Sequence, residues 1–177
     1  MRVRTGNGSM SRGPMAAVIF SFALLTGCAS TLPAPPKQLP PDDSLIVPGK
    51  RIGPVAIGMT SKQVLEAKGS PHASVRFKDA ALYNYGDKSD YGVLVDDDTQ
   101  QVWRVQTTSD SYDTEEGIHV GQTELEMQAS LGKPDNSTHD DNDEPVYQYC
   151  YDRGLAVYIT QGKIFMLSVF NPGGVCQ

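Results

Sequence analysis

The chain has 177 residues, room for one ordinary domain or two small ones. Its 21 acidic against 15 basic residues give a net charge of −6. That sign argues against nucleic acid, whose phosphates it would repel, and against electrostatic attraction to an anionic lipid surface.

The first segment does not read as folded domain. Arg2, Arg4 and Arg12 precede an apolar run from Met15 to Leu25 that ends in Leu25-Thr26-Gly27-Cys28. The run is too short to span a bilayer as a helix, which takes about 20 residues, but it suits the apolar region of a secretory signal. Either Met1 or Met10 can begin such a signal. A small residue before a cysteine resembles the lipobox of bacterial lipoproteins. That resemblance implies cleavage after residue 27 and lipidation of Cys28, with Ala29 favouring the outer membrane. The expected location is therefore the outer membrane, with the folded part facing the periplasm. Removing residues 1–27 takes three basic and no acidic residues, leaving twelve against twenty-one and a net charge of −9.

Residues 28–48 carry Pro33, Pro35, Pro36, Pro40 and Pro41 and read as an extended tether. Two similar stretches follow. Ile57-Gly58-Met59-Thr60-Ser61-Lys62-Gln63-Val64, closing on Gly69-Ser70-Pro71, returns 63 residues later. The second copy is Val120-Gly121-Gln122-Thr123-Glu124-Leu125-Glu126-Met127, closing on Gly132-Lys133-Pro134. Such a repeat is architectural. Thr60 with Gln63, and Thr123 with Glu126, have the spacing of capping boxes, and Gly69 and Gly132 stand where the short helices should stop.

After the first helix, residues 82–85, 91–95 and 101–106 have strand composition, with Asp96-Asp97-Asp98-Thr99 as turn chemistry. After the second, 136–145 reads as a polar, acidic loop, and 147–151, 154–159 and 163–170 as strands. The expected class is α+β: two tandem repeats, 49–111 and 112–177. Each would be a short capped helix packed on a three- to four-stranded antiparallel meander.

The signature Gly-Met-Thr-x-x-(Gln/Glu)-Val resembles the SmpA/OmlA family, which includes BamE of the outer-membrane β-barrel assembly complex. The tandem arrangement is similar to the β-lactamase inhibitor protein fold. Lys68, in place of leucine, and Gln122, in place of methionine, depart from the signature. The resemblance implies a fold more than a function.

Cys150 and Cys176 are an even pair once Cys28 is set aside, and in an oxidising compartment a disulfide is expected over two free thiols or a metal pair. Such a bridge would contribute about 3–4 kcal/mol in the chain-entropy view. Tyr147, Tyr149 and Tyr151 alternate along one strand face, mirrored by Tyr83 and Tyr85. They are either an aromatic recognition face or the packing surface for a helix. Trp103, read as opposing Val102 and Arg104 across the strand, is either core or an exposed anchor. Asp141 is a further contact candidate in the acidic loop. His72, His119 and His139 lack metal-ligand spacing, and no nucleophile elbow, zinc-protease helix or phosphate loop occurs. No cofactor, metal or catalytic residue is expected. The residues lead to a non-enzymatic interaction module with an envelope protein as partner; the alternative is an inhibitor of a periplasmic or cell-wall enzyme.

Overall fold

Two sheets and two short helices make up the computed structural model, which describes residue 41, residues 43–149 and residues 153–172. All of these fall within a unit spanning Lys37–Gln177. The signal segment, Cys28, Cys150, Tyr151 and Cys176 lie outside the described residues, and with them the lipidation and disulfide expectations.

A small sheet forms first. Strands β1 (Leu45–Val47), β2 (Arg51–Ile52), β3 (Val55–Ala56) and β8 (Asp113–Thr114) are ordered β3-β2-β1-β8, and the β1–β8 pair is parallel. The end of the stretch read as tether therefore belongs to the fold, with Ile46 wholly buried.

The large sheet has eight strands: β4 (Ala73–Arg76), β5 (Ala80–Tyr85), β6 (Tyr91–Asp96), β7 (Val102–Thr107), β9 (Asn136–His139), β10 (Pro145–Tyr149), β11 (Leu155–Thr160) and β12 (Lys163–Phe170). Their order is β4-β5-β6-β7-β12-β11-β10-β9, every neighbouring pair antiparallel. The edge strands β4 and β9 escape a reading by apolar alternation because they are exposed and have no buried side chain to alternate with.

This corrects the expected α+β class of two tandem helix-and-meander repeats. Strands account for 45% and helix for 12%, so the protein is mostly β. The reason is area. Helix α1 (Ser61–Lys68) buries only Val64, and α2 (Glu124–Leu131) buries Met127 and Leu131. Two helical turns cannot cover a four-stranded meander. The two meanders instead join edge to edge through β7 and β12, and the small sheet shares the cover. Ile46, Ile52, Val55, Met59, Val64 and Ile118 pack with Val93, Val105, Val157, Leu167 and Val169 in one core.

The repeated motif has a second role beyond capping. Both capping boxes form, with Thr60 accepting from the Gln63 backbone and Thr123 from that of Glu126. In addition, Gly58 N–H donates to Val102 at 2.7 Å and Val102 N–H donates back to Met59 at 2.8 Å. The second copy repeats this from Gly121 to Ile164 and from Ile164 to Gln122, at 2.8 and 2.9 Å. The motif thus latches onto the hairpin that closes each meander. Gly58 and Gly121 sit at φ of 80° and 91°, the left-handed region that glycine enters without penalty.

One departure from the motif has a physical explanation. Lys68 places its ammonium 4.4 Å from the Tyr91 ring centroid, a cation–π contact. The corresponding positions of the second half hold Leu131 and Leu155, an apolar pair within the core. The Tyr91 hydroxyl also donates to the Ile52 carbonyl at 2.6 Å, fastening the small sheet to the large one.

No side chain or backbone atom stands within 4 Å of a Cβ built on Gly121, so replacing it with alanine tests the backbone alone. Gly121→Ala is expected to cost about 1 kcal/mol or more in urea unfolding through the left-handed penalty. Unchanged stability would contradict the latch geometry.

Candidate functional site

Strand alternation gives the large sheet two faces, a covered one packed against the helices and the small sheet and one turned from them. Tyr83, Tyr85, Tyr147 and Tyr149 all stand on the covered face, beside Val93 and Val157. Two of their hydroxyls finish the helices. Tyr85 donates to the Gly69 carbonyl at 3.4 Å and Tyr149 to the Gly132 carbonyl at 3.1 Å, each meeting the carbonyl of a helix-terminating glycine. Tyr147 donates to Glu124 Oε1 at 2.5 Å. Burial, with Tyr83 nearby, pushes Tyr85 up to about 12, and burial also raises Tyr149. Of the two readings of these tyrosines, packing against helices is the one the geometry favours.

Trp103 is placed differently from the sequence reading. Leu94 pairs with Arg104 and Val95 with Val102, so Trp103 is an extra residue in β7 with no partner in β6. Such a bulge breaks the alternation and swings successive side chains to one side. The Arg104 guanidinium carbon accordingly lies 4.8 Å from the Trp103 ring centroid. The same device recurs in β12, where Phe165 is the extra residue between the pairs Tyr158–Met166 and Ile159–Ile164. Phe165 meets Tyr158 edge to face at 6.0 Å. Aligning Val102-Trp103-Arg104-Val105 with Ile164-Phe165-Met166-Leu167 would have paired these aromatics from sequence; the bulges themselves leave no signature there.

On the face turned from the helices, Leu82, Leu94, Arg104 and Phe170 form one cross-strand row. Beside it run Gly92, Gln106, Ser168, Ala156 and Gln148. The second row is floored by small residues in the middle of the sheet. That second row is buried, with Ala156 and Ser168 at 0% and Gln148 at 4% exposure, whereas Leu82, Leu94, Arg104 and Phe170 are half-buried. Trp103, Leu94 and Phe77, with Lys78, Asp79 and Ala80, line a groove of about 360 Å³ at one end. Val75 and Phe77, near that end, are exposed apolar side chains.

Arg104 is the focus of this surface. Its Nη1 donates to the Tyr158 hydroxyl across β12, at a long 3.4 Å. Its guanidinium also lies 5.7 Å from the Phe170 ring centroid. Among the described residues it joins no ion pair, and its Nε is buried without a hydrogen-bond partner. Ser168 Oγ, on the same face, is also buried and unpartnered. Each unmatched buried group of this kind costs about 1–3 kcal/mol.

Other sequence candidates lie apart. Asp141 is exposed in the β9–β10 turn, where Asp140 accepts from the Asn142 and Glu144 backbones. Asp96 accepts from Thr99 in its hairpin turn. A second groove of about 360 Å³ gathers Lys88, Asp90, Ser109 and Asp110, but no histidine lines it. Among the described residues, no cluster of three or more histidine, cysteine or acidic side chains could hold a metal.

No protein-family model matches the chain, and no curated protein sequence matches it. Several solved structures are similar to it. The first is an extracellular protein containing an SCP domain from Bacillus anthracis str. Ames, with TM-score 0.52 and 11% identity over 79% of this chain and 50% of that one. The chain spans about half the length of that protein, and at this identity the likeness is one of fold alone. The DUF4309-family protein YjgB from Bacillus subtilis has TM-score 0.45 and 19% identity, over 63% of this chain and 78% of that one. The uncharacterized protein yfeY from Escherichia coli has TM-score 0.47 and 7% identity, over 76% and 100%. None of the three is a BamE or β-lactamase inhibitor protein structure.

Because Tyr85 titrates higher in the fold than its ordinary 10.0, its neutral form stabilises the fold fully below that value. That contribution is lost as pH rises from about 10 towards about 12. Tyr85→Phe should flatten this alkaline decline in melting temperature; an identical decline would contradict the burial of that hydroxyl.

Proposed function

We propose that the protein is a non-enzymatic interaction module of the cell envelope, tethered to the outer membrane through lipidated Cys28, that binds another envelope protein through the partly exposed residues around Trp103, Leu94 and Arg104 on its eight-stranded sheet. One observation carries the reading. A half-buried arginine that joins no ion pair among the described residues sits among Trp103, Tyr158 and Phe170, themselves only partly buried, on the sheet face turned from the helices. Arginine, tryptophan and tyrosine are the side chains that dominate binding energy at protein interfaces, where they stand over well-packed, desolvated centres.

The two halves of the sheet support the same assignment. On the covered face, corresponding positions keep their character: Val93 with Val157, Val95 with Ile159, Val105 with Leu167. On the opposite face they differ: Leu94 with Tyr158, Arg104 with Met166, Gln106 with Ser168. Packing demands account for the first set. In the second set Ser168 is itself buried, while the partly exposed Leu94, Tyr158, Arg104 and Met166 suit recognition of an asymmetric partner. The anchor is read from the basic, apolar and Leu-Thr-Gly-Cys segments of residues 1–28. Kinship with the SmpA/OmlA and β-lactamase inhibitor folds is proposed on the repeated motif alone.

Photoreactive residues placed singly at Leu94 and Met166 in cells should give one discrete crosslinked protein, with none from the exposed Leu125 of α2. Silence from both sheet positions, with abundant folded protein, would contradict the reading; an enzyme as the crosslinked species would select the inhibitor alternative. Cys28→Ala should move the protein from the membrane to the soluble fraction, and continued membrane retention would contradict the anchor.

A further inference from the structure

The two edges of the large sheet are corresponding strands with different surfaces. The 63-residue offset sets Ala73-Ser74-Val75-Arg76-Phe77 on Asn136-Ser137-Thr138-His139-Asp140, which are β4 and β9 with the residue after each. β9 is polar at every position. The β4 stretch has Val75 and Phe77 where the other has Thr138 and Asp140, and both are exposed, at 47% and 53%. An edge strand offers a row of unpaired backbone donors and acceptors, which polar and charged side chains guard. Here one edge is guarded and its counterpart carries apolar groups in the open.

The register shows which backbone groups are free. Phe77 N–H donates to the Ala80 carbonyl at 2.8 Å, so these two face each other as a hydrogen-bonded pair. Such pairs alternate along an antiparallel ladder, which makes Val75–Leu82 and Ala73–Asn84 hydrogen-bonded as well. Ser74 and Arg76 therefore direct N–H and C=O away from β5, and among the described residues no strand lies beyond them. A second copy of β4 running antiparallel fits this pattern. Ser74 of each copy faces Arg76 of the other, Val75 meets its own counterpart on the two-fold axis, and Phe77 stands over Ala73. Arg76 faces a serine rather than a second arginine and keeps its own Asp97 at 3.3 Å.

Charge favours the same arrangement. Residues 49–111 hold eight basic and eight acidic side chains, whereas 112–177 hold three basic and eleven acidic. Pairing at β4 joins two neutral halves and leaves the acidic halves at the far ends of the sheets. Pairing at β9 would instead bring Asp140 and Asp141 of two copies together against mutual repulsion. The sheet face is also continuous across the β4 edge. Val75 pairs with Leu82, Leu82 with Leu94, Leu94 with Arg104 and Arg104 with Phe170, one row that the axis would carry unbroken into the second copy.

We propose that the protein forms a two-fold dimer in which β4 pairs with β4 of a second copy, joining two large sheets into one. The inference goes beyond the partner-binding reading and does not depend on it. The dimer sets two Trp103–Arg104 surfaces on one face, whatever those surfaces bind. Main-chain hydrogen bonds on either side of Val75 hold the pair, a contact short enough to exchange, so the experiment traps it covalently.

The test is disulfide trapping of the full chain in cells. Facing residues of a non-hydrogen-bonded pair have Cα atoms about 4.5 Å apart, within the range a disulfide spans. Val75→Cys should give a covalent dimer whose linked peptide joins the two substituted positions. Thr138→Cys, the equivalent exposed position of β9, should give none, and neither should Arg76→Cys, whose counterpart across the axis is a serine. Ser74→Pro removes a free N–H without touching the β4–β5 bonds; added to Val75→Cys it should abolish the dimer and leave the melting temperature unchanged. No trapping at Val75, equal trapping at Thr138, or a dimer that survives Ser74→Pro would overturn the pairing. A disulfide from Val75→Cys to a different protein would overturn the second copy as occupant. Crosslinks from Leu94 and Met166 report separately: silence there with Val75 trapping intact overturns the partner-binding reading alone.

Discussion

The antiparallel pairing of β7 with β12 is the constraint on which the remaining architecture depends. Thr107 faces Leu167, Val105 faces Val169 and Arg104 faces Phe170 along this seam. Each helix has eight residues, a length marginal without tertiary support. Neither meander, with one such helix, could bury its own apolar face. Joining the meanders makes a single surface wide enough for both helices and the small sheet to pack on together. The same seam sets Arg104 and Phe170 side by side, so the site exists only because the halves are fused.

Much of the local structure was legible because it is written in short-range chemistry. Thr60 with Gln63 and Thr123 with Glu126 specify capping boxes within four residues, and both helices begin and end as those residues require. The inner strands were legible from β-branched and aromatic residues. What was illegible depends on long-range pairing. β4 and β9 are polar and exposed, and they are strands because β5 and β10 offer them backbone partners. The small sheet draws Leu45–Val47 and Asp113–Thr114 together across more than sixty residues, a parallel pair that no local pattern announces. The mostly-β class followed from these missed strands.

The candidate site was legible only in part. Trp103 was visible as the single tryptophan, but its companions were not, because a bulge in β7 and another in β12 decide which side chains share a face. Alternation, applied without bulges, puts Trp103 opposite Arg104. The tyrosine pairs look like a recognition surface in the sequence, but one of each, Tyr85 and Tyr149, reaches the carbonyl at a helix end. Polar tips on large apolar rings serve both purposes equally well, and only the position of the helices distinguishes them.

Hydrogen exchange along the seam tests the fused sheet most directly. With the halves fused, the backbone amides of Val105, Leu167 and Val169 should be among the slowest in the protein. They should exchange together with the core amides of both halves, Val93 and Val157, at a free energy equal to that of global unfolding. If one half exchanged freely while the other stayed protected, the halves would be separate folding units and the seam an incidental contact.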